Sequence, residues 1–226
     1  MAEPQDRVDG QTHPRSTRDG RRRYVSERGP FEIRANPEIT TPSSRGTPDA
    51  SRTLQIFEHS ALAEKYGEGP VQEKILEMAE ALSGGITSTR LFGQDESPNG
   101  MRLSHVWFGA NFPLFRHSHP GSGDCLYYVI AGEIVMGRRT LRAGSVMFLP
   151  NGMPYKFKAG PAGAEVLEFH ADRRDPNAPG LRLEEHSLES IQQLIDGGKA
   201  HRHEWEVPER IGDTALRQAE VDAEGE

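Results

Sequence analysis

The chain reads as an all-β protein, an antiparallel sandwich or barrel with helices at its flanks and disordered ends. Three observations predict this. After Gly85 the segments "ITSTRLF", "MRLSHVWF", "PLFRHSH", "CLYYVI", "EIVMG", "SVMFLP", "YKFKA" and "AEVLEF" are short, β-branched or aromatic, and separated by Gly, Pro or Asn. They amount to about eight closely spaced strands, the pattern of antiparallel β architecture. Helical spacing of apolar residues appears only before and after this block.

The elements follow in order. Residues 1–51 are dominated by Arg, Asp, Glu, Pro, Gly, Ser and Thr, with Tyr24, Val25, Phe31 and Ile33 as a short apolar interruption. Such a segment buries too little to offset its ordering entropy, and a disordered tail is expected. From Gly69 the pattern changes: Val71, Ile75, Leu76, Met78, Ala79 and Leu82 recur at helical spacing, with Glu73, Glu77 and Glu80 opposite. Pro70 suits the first turn and Gly84-Gly85 the stop. The strand block then runs to His170, and Pro176 and Pro179 cannot continue a central strand. A second helix is capped by Ser187, carries Leu188, Ile191, Leu194 and Ile195 on one face, and is expected to end at Gly197-Gly198. The folded domain is therefore placed at 52–196. Residues 197–226 are expected to form a charged tail in which His201-Arg202-His203 is solvated.

Composition limits the function classes. The hydrophobic fraction of 35% is low for 226 residues, against roughly 45–50% for ordinary globular domains, which fits one core plus tails. A net charge of −7 offers no broad positive field to a phosphate backbone, so no nucleic-acid partner is expected. No apolar run approaches the ~18 residues of a membrane span, no secretory leader pattern opens the chain, and a single cysteine cannot form an internal disulfide. A soluble cytoplasmic protein without a membrane partner is expected.

Chemistry concentrates in "FRHSHPGSGDCLYYVIAG", residues 115–132. On a strand, alternate side chains share a face, so His117 and His119 project together about 7 Å apart along the chain, within reach of one metal ion. The third donor is either Asp124 or Cys125. Charge favours Asp124, because a carboxylate is ionised at neutral pH whereas a free thiol titrates near ~8.5. In a regular strand the two side chains face opposite ways, so only one of them can join the histidines. A bulge at the permissive elbow Pro120-Gly121-Ser122-Gly123 would turn the acid inward, and Asp124 is taken as the ligand.

His117-Ser118-His119 with Gly132, followed by Gly144, Pro150 and Gly152 in "GSVMFLPNGMPY", resembles the two motifs of the cupins, small β-barrels of the jelly-roll class. The resemblance covers about residues 100–170. It departs from the family pattern at the Gly ahead of the histidine pair, where Asn111 stands. It departs again at the second-motif His and Asn, where Tyr155 and Ala159 stand, and at the first-motif Glu. The resemblance implies a cupin-type jelly-roll barrel holding one divalent metal ion: iron, zinc, manganese or nickel. His117, His119 and Asp124 are the implied ligands, with Tyr155 as a further ligand or a catalytic acid/base group. His105 and Trp107 fall on the same inward face if their strand is regular. Tyr127, Tyr128, Phe148 and Phe157 read as core, and His170 as a structural histidine.

The function implied is metal-dependent chemistry on a small organic molecule, of the dioxygenase or lyase kind, since two His and one acid leave positions open for substrate. The alternative, favoured by the missing third histidine, is a non-catalytic barrel that binds or senses a small ligand. Jelly-roll sheets keep edges that proteins often cover, so a homodimer is expected.

Overall fold

A computed structural model of the chain describes residues 15–16, 22–25, 32–35, 39, 60–66, 69–94, 100–171 and 180–224. The chain divides into two compact units, Met1–Glu38 and Ile39–Glu226. In the first, strands β1 (Arg15–Ser16), β2 (Arg22–Val25) and β3 (Glu32–Ala35) pair as an antiparallel meander. The rest of the expected disordered tail lies outside the described residues.

The second unit is built on a six-stranded antiparallel sheet of β4 (Ile86–Gly93), β5 (Met101–Phe108), β7 (Cys125–Met136), β8 (Arg139–Arg142), β9 (Val146–Leu149) and β10 (Lys158–Ala171). The order across it is β4-β5-β10-β7-β8, with β9 also paired to β7. A two-stranded ribbon of β6 (His117–Ser118) and β11 (Arg182–Leu183) faces this sheet. Isolated bridges Pro113↔Lys158 and His117↔Tyr155 tie the segment before β6 to the one before β10. Among the described residues the strands form a cupin-like β fold but do not close a barrel.

The strands are fewer and longer than the sequence led us to expect. "CLYYVI" and "EIVMG" fuse into β7, and "YKFKA" and "AEVLEF" contribute to one long β10. Gly132 does not break β7. It takes φ 66°, and a Cβ there would lie 2.2 Å from the Gly163 carbonyl oxygen, so the glycine lets the two long strands cross closely at an irregularity.

Helices α1 (Ala61–Tyr66), α2 (Pro70–Leu82), α3 (Leu188–His201) and α4 (Thr214–Glu224) complete the unit. The apolar face of α2 is buried at Val71, Ile75, Met78, Ala81 and Leu82, against Ile191 and Ile195 of α3 and the aromatic core of Phe108, Phe112 and Phe157. Ser187 caps α3 by accepting the Ser190 N–H. The helix runs through Gly197-Gly198 instead of ending there. A Cβ at Gly198 would sit 2.7 Å from the Ala81 carbonyl oxygen, so this glycine serves the crossing of α2 and α3. No helix among the described residues is long and apolar enough to cross a membrane.

Residues 202–224, expected as part of a charged tail, fold back on the sheet. Trp205 covers Gly85 and Gly109, where any Cβ would collide with its indole, and its ring N–H donates to the Ala110 carbonyl at 2.9 Å. The Glu165 carboxylate, fully buried on β10, accepts from the Gly212 N–H (2.7 Å), the Thr214 N–H (2.8 Å) and His105 Nε2 (2.7 Å). It satisfies free amides at the start of α4 and sits at the positive end of that helix. Burial opposes ionisation of Glu165, but the bonds from His105, Gly212 and Thr214 win and hold its titration below the ordinary carboxylate range. His105 and Trp107 thus belong to the outer face of the sheet, under the C-terminal segment, and not to the histidine face.

The crossing at Gly198 generates a test. Gly198→Ala is expected to cost about 1–3 kcal/mol in urea unfolding because the methyl meets backbone. Gly197→Ala, which would meet only the Pro113 ring at 3.3 Å, should stay within about 1 kcal/mol of wild type because helix propensity favours alanine. Equal stability of the two variants would remove the close-crossing account.

Candidate metal and acid/base site

The inner face of the large sheet gathers seven polar side chains. His117 and Tyr155 lie opposite each other and exchange both backbone hydrogen bonds, His117 N–H to Tyr155 O at 3.1 Å and Tyr155 N–H to His117 O at 3.0 Å. That pairing puts the Tyr155 phenol between the two imidazoles, 3.0 Å from His117 Nε2 and 3.2 Å from His119 Nε2. The phenol also lies 2.7 Å from the Tyr127 hydroxyl, which donates to Glu168 Oε1 at 2.9 Å. His170 Nε2 is 2.9 Å from the same carboxylate oxygen, and the Cys125 thiol is 4.0 Å from it. Cys125, Tyr127, Glu168 and His170 face inward together because β7 and β10 pair with Glu168 opposite Tyr127 and His170 opposite Cys125.

Counting protons shows what this arrangement lacks. His117 Nδ1–H donates to the Phe115 carbonyl at 2.9 Å and His119 Nδ1–H to the Gly180 carbonyl at 2.7 Å. Both rings therefore carry their proton away from the cluster, and each Nε2 presents a lone pair to it. Among the described residues the only hydroxyl in reach of those two lone pairs is that of Tyr155, whose single proton serves one acceptor. At least one imidazole lone pair is left for a group the chain does not supply. Pinned Nδ1–H groups with free, convergent Nε2 atoms are the way metal-binding histidines are oriented.

Electrostatics agree with this tautomer. Burial lowers His117 to about 4, with the neighbouring His119 adding to the effect, and burial likewise lowers His119. Both imidazoles are neutral near pH 7. Tyr127 and Tyr155 are pushed well above the ordinary phenol range, first by burial and then by the Glu168 charge, so both stay protonated. Burial alone would raise Glu168. The hydrogen bond and charge of His170, with His119 and Tyr127, overcome it and hold the carboxylate at about 2. The cluster thus pairs an ionised acid with protonated phenols and neutral imidazoles.

Asp124 is not among these groups. Its side chain is exposed, its carboxylate accepts the Asn151 N–H at 3.0 Å, and its backbone carbonyl accepts the Ala171 N–H. The elbow does not reset the register: β7 begins at Cys125 with that side chain inward, which leaves the preceding acid outside. Cys125 takes the register position, but burial and the Glu168 charge push its thiol up, away from the thiolate form. The inward carboxylate comes from β10 instead. Cys125, Glu168 and His170 form a buried group whose ligand atoms lie within 4.8 Å of one another, near enough to hold one metal ion. His170, read as structural from the sequence, is part of this group. Of the four aromatics read as core, Tyr127 and Phe157 are buried, whereas Tyr128 and Phe148 are exposed on the outer face.

Sequence reasoning missed Glu168, and a signal for it was present. In "AEVLEFH" the acids Glu165 and Glu168 are three apart, so on one strand they take opposite faces, and one must enter the core. His170, two residues beyond Glu168, shares its face.

No protein-family model matches the chain and no curated protein matches it. Among solved structures it is similar to KdgF from Halomonas sp., at 20% identity over 42% of this chain and 84% of that one, with a TM-score of 0.35. It is similar to the polyketide cyclase RemF from Streptomyces resistomycificus, at 20% identity over 51% and 82%, with a TM-score of 0.39. It also resembles an RmlC-like cupin from Shewanella frigidimarina, at 20% identity over 42% and 83%, with a TM-score of 0.32. Within this chain the motif residues occupy working positions: His117 on β6 with His119 just beyond its end, Gly132 at the strand crossing, and Gly144, Pro150 and Gly152 around β9, leading into Tyr155. These likenesses are of fold alone, a cupin-like β fold.

One departure from the cupin motif is conformationally silent. Asn111, in place of the first-motif glycine, has φ 57°, and asparagine is among the few side chains that tolerate the left-handed region. The other departures change the chemistry. Tyr155 stands where the motif has a histidine, and the carboxylate on the inner face is that of Glu168 on β10. A separate cavity of about 470 Å³, lined in part by Arg116, Leu149, Met153, Lys156 and His186, reaches the cluster at Tyr155 alone.

The Tyr127 hydroxyl is the middle link between Tyr155 and Glu168. Tyr127→Phe is expected to cost about 1–3 kcal/mol, the penalty for leaving a buried charge one donor short. An unchanged urea midpoint would show that Glu168 does not depend on this bond.

Proposed function

We propose that this cupin is a metal-dependent enzyme acting on a small organic molecule, and that His117, His119 and Glu168 hold one divalent ion. The observation that carries the reading is the pair of imidazoles with Nδ1 pinned by the Phe115 and Gly180 carbonyls and Nε2 lone pairs outnumbering the protons available to them. Two neutral imidazoles and a carboxylate suit iron, manganese or zinc and leave positions open. Bound there, the ion would act as a Lewis acid or hold oxygen, the chemistry of lyases and dioxygenases respectively.

The chain's own residues favour the lyase reading. Tyr155, buried against the histidines and kept protonated, is placed to donate a proton to a substrate oxygen or leaving group. The Tyr127 hydroxyl, its own proton given to Glu168, accepts from Tyr155 and holds the phenol in place. His170 is a positioning residue. Its Nε2 bonds to Glu168, while its Nδ1 is buried with no hydrogen-bond partner among the described residues.

Elemental analysis of the full chain, purified from unsupplemented medium and then offered iron, manganese or zinc, tests this. About one ion per chain is expected. His117→Ala, His119→Ala and Glu168→Gln should each lose it, Asp124→Asn should keep it, and Tyr155→Phe should keep it while losing turnover by about 10²–10⁴-fold. No uptake by the wild-type protein would leave the non-catalytic ligand-binding reading in its place.

We also propose that two copies pair through the outer face of the sheet. Phe92, Leu103, Phe169, Leu126 and Phe148 form one cross-strand row, one residue from each of β4, β5, β10, β7 and β9. Val146, Tyr128 and Leu167 form the next. Val146 and Phe148 are each 58% exposed, and no charged side chain stands among these eight. A chain of net charge −7 repels its copy, and a patch of uncharged side chains is where two copies meet without that penalty. Light scattering at micromolar concentration should give a dimer, and Phe148→Lys should shift it towards monomer. A monomeric wild type would sink the pairing.

A further inference from the structure

We propose that Arg102 binds the substrate and that the substrate is a small organic acid whose carboxylate the guanidinium holds at the rim of the site. This rests on the reading of the histidine cluster as the reactive centre, and it names the substrate class.

The inner face of the sheet is graded in rows about 7 Å apart along the strands. Val106, Val166 and Val129 make an apolar row. Ser104, Glu168, Tyr127 and Met147 make the next, which holds the buried carboxylate. Arg102, His170, Cys125 and Leu149 make the third. Arg102 therefore stands one row from Glu168, on the face that carries the cluster. Its guanidinium turns towards the elbow after His119, where Nη2 donates to the buried Ser122 hydroxyl at 3.5 Å. Its charge is near enough to act on both His119 and Cys125.

Three features make this a binding group. Among the described residues no carboxylate forms an ion pair with Arg102, and one long bond to Ser122 uses one of five N–H donors set in a planar fork. That fork matches a carboxylate in two parallel bonds. Second, His117, Tyr127, Tyr155 and His170 are buried, whereas His119 and Arg102 are only partly so, which leaves these two side chains part-exposed beside the buried cluster. Third, the net charge of −7 gives no general attraction for an anion, so an acidic substrate needs a local cation at the entrance.

The test uses a pair of probes matched in size and differing in charge, 2-hydroxybutanoate and its neutral amide. Each is titrated into the isotope-labelled full chain and followed by NMR chemical shifts. The wild type is expected to bind the acid at least tenfold more tightly than the amide. Arg102→Gln should bring the two within twofold, and Arg102→Lys should keep part of the preference. Arg116→Gln, at the separate cavity, should keep all of it. Binding of neither probe, no preference for the acid, a preference that survives in Arg102→Gln, or one lost in Arg116→Gln would each overturn the assignment. Metal content measured on the same samples separates the two readings: Arg102→Gln should match wild type. If no sample takes up metal, the metal-dependent function fails while the acid-to-amide ratio still decides the role of Arg102.

Discussion

Strand β10 carries two carboxylates into the protein interior on opposite faces, and the problem of keeping both ionised organises what surrounds them. A charge out of water must be met by hydrogen bonds, or it takes up a proton instead. Glu165 solves this on the outer face by drawing in His105 and the amides of Gly212 and Thr214. Glu168 solves it on the inner face by drawing in Tyr127 and His170. The first solution folds the C-terminal segment onto the sheet, and the second builds the acidic end of the site. Because the two residues are three apart on one strand, the same register that buries one buries the other. A slip of one residue would exchange their faces and strand both without partners.

The chain of short contacts from Glu168 through Tyr127 and Tyr155 to the histidines has a direction. Its acidic end is saturated with protons from Tyr127 and His170, and its imidazole end is short of them. Such an imbalance is stable only if something completes the imidazole end, whether water or a cation, and a cation also gains from the carboxylate charge nearby. The site is built to gain from occupation, in the manner of ligand sites whose partner groups are fixed before the ligand arrives.

Much of the fold was legible because it rests on periodicity. The α2 stripe, the Ser187 cap, the β block and the histidine pair on an inward face all follow from spacing. What could not be read depends on contacts between distant parts of the chain. Gly197-Gly198 looks like a helix stop, and only the passage of Ala81 beside Gly198 makes it a crossing point. Trp205 lies in a charged run without periodicity, and only Gly85 and Gly109 give it a place to dock. Asp124 and Cys125 could not be separated by charge and register alone. The elbow keeps its register, the acid stays outside, and the carboxylate in the cluster is supplied by a strand some forty residues later.

The place of that carboxylate bears on how a site on such a sheet can differ from the motif it resembles. The inner face of an antiparallel sheet offers several positions around one point, because neighbouring strands lie about 5 Å apart and alternate residues about 7 Å apart. A carboxylate on β10 can therefore reach the place of one missing from β7 without moving the backbone: His170 is paired with Cys125, and Glu168, two residues earlier on the same face, brings its Oε1 to 4.0 Å from the Cys125 thiol. A phenol in the place of the third histidine is a different change, since it exchanges a lone pair for a proton. The donor set is then smaller by one ligand and richer by one acid. In the proposed metal site both substitutions point the same way, towards an ion with coordination positions free and a proton held beside them.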